Sequence, residues 1–177
     1  VTCLFLITIP VIGLCERYGL KEKAVMLIKK ASKLSAGKLL SGYTLIRETT
    51  IGMGVTLGGH PQFVRPLVSP MAEGAIVAKY GDKVEEKDIE KIKAYSAASD
   101  NVGNFFAQNV FIANAGVLLI ASTLEGMGMP VDTLQVSKVA FPVAIIAFIL
   151  WTIQNTLLDK RMQSKYADNR KNARGEQ

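Results

Sequence analysis

Among the charged residues of this chain, the ones that could do chemistry are those placed where charge is costly. Of the 21 basic residues, only Arg47 and Arg65 fall inside long apolar stretches, with Lys138 flanking one. An ionisable group at membrane depth costs about 2.5 kcal/mol or more, so it faces a partner or a wet cavity. Arg65 lies in "LGGHPQFVRPLVSPMAEG", which also holds the single histidine, His60, and three of the six prolines. Gly58 and Gly59 allow close backbone approach, Pro61 and Pro66 break a regular helix, and freed N–H groups can point inward beside Gln62. A guanidinium is a planar fork that grips a carboxylate at two points. Gly58, Gly59, His60, Gln62 and Arg65 therefore read as an anion site, of the kind transporters build from interrupted helices. The alternative is an extramembrane turn with Arg65 at the interface, since turn chemistry alone selects Gly and Pro.

Coupling residues are sought among the remaining ionisable groups. His60 can exchange protons near neutral pH. Glu73 is placed to pair with Arg65 or to hold a cation. Arg47 has Glu48 as its neighbour, but adjacent helical residues point about 100° apart, so Arg47 needs a partner from elsewhere. In "SDNVGNFFAQN", Asp100, Asn104 and Gln108 form a polar stripe at i, i+4 and i+8, flanked by Asn101 and Asn109. Carboxylate and amide oxygens there suit Na⁺ or the polar groups of a substrate, and equally an amide-rich helix contact. Coupling to Na⁺ or H⁺ is expected, with no cofactor and no resident metal. The chain contains no Ser-His-Asp order, CxxC, HExxH or phosphate loop, so no enzyme is expected. Cys3 and Cys15 read as small apolar residues.

The elements that must position these residues are legible in hydropathy and charge. The 177 residues are 49% hydrophobic with a net charge of +6, and the mean hydropathy is +0.25. The lysines and arginines cluster beside apolar runs instead of spreading over a polar surface, which argues for lipid and against nucleic acid. Val139 to Leu158 is uncharged and long enough to span a bilayer as a helix. Phe105 to Leu124 reads as a second crossing with one polar face. Val1 to Cys15 reads as part of a transmembrane helix, which makes the chain a fragment beginning inside one. Residues 20–34 read as a basic amphipathic helix on the inner leaflet, or equally as the solvated face of a cytoplasmic helical turn. Residues 79–99 read as a polar cytoplasmic connection with no core of its own, Asp82 and Glu85 opening a helix within it.

Charge orients these segments. Arg17 to Lys38 carries seven basic residues and one acid, the tail 159–177 six and three, and Glu125 to Gln135 two acids and no base. The first loop and the C-terminus are therefore cytoplasmic. Parity then makes residues 39–78 enter and leave on one side, as two crossings or as a re-entrant hairpin. The predicted fold class is an all-α, polytopic integral membrane protein with a hairpin or re-entrant segment, ion-transporter-like.

The runs "IPVIGLCERYGLKEKA", "LGGHPQFVRPLVSPMAEGA", "AKYGD" and "NVGNFFAQNVFIANAGVLLI" resemble one bacterial membrane protein family, catalogued as domain of unknown function 969. The resemblance covers about Ile9 to Asp159, and it implies an N-terminally truncated member. It further implies a transporter subunit for 5-oxoproline (pyroglutamate), working with a second membrane subunit from a neighbouring gene. A small carboxylate with a lactam suits the residues above. The competing expectation is a non-transporting scaffold or assembly subunit of such a complex.

Overall fold

A computed structural model describes residues 34–52, 60–81, 84–112, 114–129 and 131–175, with side chains to Tyr166. The described residues form helices without strands: α1 (Ala36–Gly52), a π-helical segment (His60–Val68) running directly into α2 (Ser69–Tyr80), α3 (Glu86–Ala107), α4 (Ala115–Gly126) and α5 (Thr133–Gly175). The all-α expectation holds. The partial helix expected over 1–15 and the surface helix expected over 20–34 lie outside the described residues, apart from Leu34.

The hairpin arms are antiparallel. Ala36 and Leu40, at the start of α1, share a core with Ala75 and Ile76 near the end of α2, while Arg47 and His60 meet at the opposite end through Asp100. Pro61 and Pro66 explain the wide winding of the intervening segment, because proline has no N–H to donate and its ring crowds the preceding turn. α3 lies parallel to α1, and α5 returns antiparallel to both. The pairings Asp159 with Gly37, Asn155 with Ser41, Trp151 with Ser99, and Lys165 with Asp88 fix that order.

One close approach sets the spacing of α1 and α5. At Gly37 an added Cβ would lie 2.3 Å from the Asn155 carbonyl oxygen and 2.6 Å from Asp159 Oδ2. Only hydrogen fits there. α5 can therefore place Asp159 at the α1 N-terminus, where it accepts from the Gly37 N–H at 3.0 Å and from the Ser35 hydroxyl. The Gly37 N–H, in the first turn, has no partner within α1, and a carboxylate at a helix N-terminus satisfies both that hydrogen bond and the dipole.

Three segments depart from the sequence expectation. Residues 79–99 are not a coreless connection: α3 begins at Glu86 and runs unbroken to Ala107, and its Ile92, Ser96 and Ser99 are fully buried. Charge balance concealed this, because most charged positions face outward while Ile92, Ser96, Ser99 and one acid, Asp88, are turned into the bundle. Phe105 to Leu124 is not one helix. α3 stops at Ala107, turns carry Gln108 to Phe111, and Asn114 starts α4 by accepting from the Gly116 N–H at 2.9 Å. Asparagine competes for backbone hydrogen bonds and favours a cap over a helix interior. With 12 residues, α4 is too short to cross a bilayer alone. The tail beyond Leu158 is a continuation of α5 to Gly175 rather than a separate segment.

Glu85 is the residue before α3 but makes no side-chain capping bond, and its proposed companion Asp82 lies outside the described residues. Instead the junction is closed from α5. Lys165 Nζ sits 2.7 Å from Asp88 Oδ2 and 2.8 Å from Glu85 Oε2, Tyr166 donates to Asp88 at 2.6 Å, and the Glu85 N–H donates to the Tyr166 oxygen. Burial pushes the Asp88 carboxyl up, but the Lys165 and Tyr166 hydrogen bonds outweigh it and hold the group below the usual aspartate range. Tyr80 packs on Tyr166 at 5.2 Å between ring centroids, tying in the end of α2.

Within α5, Thr133–Tyr166 contains the one described stretch long and apolar enough to cross a membrane. Only 11% of its most apolar window is buried. The core helix of a soluble protein would be covered; here Val139, Phe141, Ile146 and Leu150 are all more than half exposed. Leu118 and Leu119 of α4 and Leu45 and Ile46 of α1 extend the apolar surface. An exposed apolar area of this extent marks contact with lipid or protein.

Candidate functional site

The bundle interior is not purely apolar. Asp100, 3% exposed and on the inner face of α3, pairs with Arg47 of α1, whose Nε lies 3.0 Å from Asp100 Oδ1. Both side chains are 4% exposed. Tyr43, one turn before Arg47 on the same face, donates its hydroxyl to the same Oδ1 at 2.5 Å. On the other side His60 Nε2 stands 3.5 Å from Asp100 Oδ2 and 3.1 Å from Asn101 Oδ1. Both of these neighbours are acceptors, so Nε2 carries the hydrogen and the imidazole is held as a donor toward them.

Local sequence explains how three elements converge. Tyr43 and Arg47 are four residues apart and so lie one above the other on α1. Gly103 makes room for them: a Cβ there would lie 2.9 Å from Arg47 Cγ, 3.0 Å from Arg47 Cβ and 3.3 Å from the Thr44 carbonyl oxygen. Its absent side chain lets the guanidinium stem lie flat on α3, one turn beyond Asp100. Thr44, fully buried between the helices, spends its hydroxyl mainly on the Leu40 carbonyl. His60 arrives from the hairpin's second arm at the first residue of the π-helical segment.

The depth of this cluster follows from α5. Ser99, beside Asp100, accepts from Trp151 Nε1 at 3.0 Å, and Tyr95 stacks on the Trp151 ring at 5.6 Å. Trp151 lies near the middle of the uncharged run Val139 to Leu158, so the ion pair sits at the level of the centre of that run. Removed from water, two charges must repay their desolvation through each other and through further hydrogen bonds. Tyr43 and His60 supply these to the carboxylate.

Of the residues expected from sequence, the structure brings together His60, Arg47, Asp100 and Asn101. Arg47 and Asp100, expected to serve coupling or ion pairing, prove to be partners. Asn104 is half-buried and, with Asn101, Phe105 and Phe106, borders a shallow surface pocket, whereas Gln108 and Asn109 fall in the turn after α3. The expected polar stripe is thus split, its first residue buried and its last outside the helix. Arg65 stands apart: it is exposed, and no ion pair or hydrogen bond joins it to another described residue. Gln62 is half-buried nearby. Glu73 accepts from Ser69 within α2 at 2.9 Å, one turn away, and does not meet Arg65. Gly58 and Gly59 lie outside the described residues. Glu48 faces a different cavity, away from Asp100.

Sequence reasoning missed Tyr43. Its signal is the i, i+4 spacing to an arginine set in an apolar stretch, which gives it the same partner. Missed too were Trp151 and Ser99, whose pairing across helices leaves no local pattern.

The cluster presents a guanidinium, a carboxylate, a phenol and an imidazole at the bundle centre. A carboxylate ligand would find a ready-made fork in Arg47, provided Asp100 released it. A proton on Asp100 would do that. The profile of the family described as "Protein of unknown function (DUF969)" matches residues 1–163. Neither a curated protein nor a solved structure matches the chain.

Proposed function

Since the chain belongs to that family of unknown function, we propose that it is a multi-pass inner-membrane subunit of an ion-coupled transporter for a small carboxylate, with 5-oxoproline as the first candidate. The observation that carries the proposal is the buried Arg47–Asp100 pair, braced by Tyr43 and His60 at mid-level of the apolar run. Intramembrane ion pairs are expensive and mark substrate or ion pathways. Asp100 holds the place of the substrate carboxylate in the resting state. An incoming anion competes for Arg47, and a proton taken up by Asp100 keeps the site's charge balanced as the exchange occurs. His60, the most exposed member of the group, is the route by which a proton reaches it. The 5-oxoproline lactam, one donor and one acceptor, is matched by amides such as Asn101.

The experiment is uptake of labelled 5-oxoproline by cells expressing the protein with its neighbouring membrane subunit, comparing Tyr43→Phe, His60→Gln and Arg65→Ala. Tyr43→Phe and His60→Gln should lower uptake at least several-fold with protein levels unchanged, and His60→Gln should alter its pH profile. The proposal fails if both variants transport like the parent. Loss in Arg65→Ala alone would move the anion site to the exposed face of the π-helical segment.

A further inference from the structure

A half-buried acid lies beside this site and takes no part in it. Glu48 follows Arg47 on α1, but its side chain turns toward α5, into a cavity of about 400 Å³ lined by Ala107, Val110, Phe141, Ala144 and Phe148. Its Oε1 is buried and has no hydrogen-bond partner. The other polar side chain on the wall, Thr49, donates its hydroxyl to the Leu45 carbonyl at 2.8 Å. No titratable group faces Glu48 from α3, from the turn after it or from α5 among the described residues; Arg47, its neighbour, is turned to Asp100.

An ionised carboxylate whose Oε1 is enclosed by apolar side chains, with no donor on it from the described residues, is disfavoured there. The neutral acid needs far less stabilisation. We propose that Glu48 is an exchangeable proton-binding site: while water reaches the cavity its carboxylate takes a proton from hydronium, leaving water, the neutral acid is retained when the cavity closes, and the proton returns to water when the cavity is wetted again. The cavity walls suit this cycle. The side chains facing Glu48 are apolar, and the wall formed by Phe141 and Ile145 belongs to the exposed face of α5, so a modest separation of α5 from α1 decides whether water reaches the acid. The inference rests on the membrane placement above and not on the substrate or on the Arg47 site.

The test uses membranes containing the full protein, treated with dicyclohexylcarbodiimide, an apolar reagent that modifies protonated carboxyl groups in apolar surroundings, and reads out by peptide mass spectrometry. Glu48 should be modified, and Glu73 and Glu90 should not. Above its midpoint the rate should fall about tenfold per pH unit, as a one-proton equilibrium requires. Glu48→Gln should lose the adduct, and Glu48→Asp should retain it at a lower rate. Infrared difference spectra between acidic and alkaline samples should show a protonated-carboxyl band that Glu48→Gln removes. The proposal is overturned by modification independent of pH, or by absence of both adduct and band at every pH. Because no reading involves substrate, failure of transport by the Arg47 site would leave this result unaffected.

Discussion

Replacing either partner of the Arg47–Asp100 pair should cost more than replacing both. The two side chains are each 4% exposed and 3.0 Å apart, so neither can turn to water when the other is lost. Breaking a buried pair by removing one partner costs about 3–5 kcal/mol, because a charge is left uncompensated, whereas exchanging both for apolar groups of similar size is often neutral. For a domain of 150–250 residues, 1 kcal/mol moves Tm by about 2–4 °C, so Arg47→Met and Asp100→Leu should each lower it by about 6–20 °C. The double variant should recover most of that loss. The assay is thermal unfolding of purified, detergent-solubilised protein, read by fluorescence-detected size exclusion. Singles within about 2 °C of the parent, a shift of about 1 kcal/mol at most, would refute the claim that the pair is desolvated. A double variant as unstable as the sum of the singles would refute direct pairing, since independent sites add.

Other outcomes follow from neighbouring contacts. Gly103→Ala drives a methyl to within 2.9 Å of the Arg47 stem, so despite better helix propensity it should cost about 1–3 kcal/mol, seen as a lower Tm. Gly37→Ala meets a backbone carbonyl and the capping carboxylate, which cannot rotate away together; it should be the more damaging of the two, and protein yield in membranes would show it. Asp88 titrates below its unfolded value, so its contribution is present above the ordinary aspartate pKa of about 3.9 and is lost as pH falls through the lower folded value. Protection from hydrogen exchange near Tyr166, taken relative to the intrinsic rate at each pH, should fall under acid conditions, and Asp88→Asn should show the lower protection already at neutral pH. Lys165, held above the usual lysine range by Asp88 and then Glu85, contributes below its unfolded pKa and is lost only as pH rises through the raised value. The latch is therefore stable across the neutral range, and the Asp88→Asn comparison checks this too.

What the sequence determined by itself is set by composition and period. The apolar run Val139 to Leu158 demands a helix with exposed apolar sides, and α5 has one; the costly placement of Arg47 demands a partner from elsewhere in the chain. The two prolines as disturbers of regular winding were equally readable, because proline geometry is local; Asn114 as a helix start was not, since the run Phe105 to Leu124 reads as one continuous apolar helix. The tertiary structure decided everything that depends on which faces meet. Asp100 is one of several polar residues in its stretch, and only the parallel packing of α1 on α3, permitted by Gly103, selects it as the arginine's partner over Asn104 or Glu48. Charge balance along residues 79–99 gave no hint that Ile92 is buried, since a helix hides its core face among charged neighbours. Arg65 looked the stronger ligand in one dimension for the same reason: sequence shows that a charge lies in an apolar run, but only the rotation of its helix decides whether it points into the bundle or out of it.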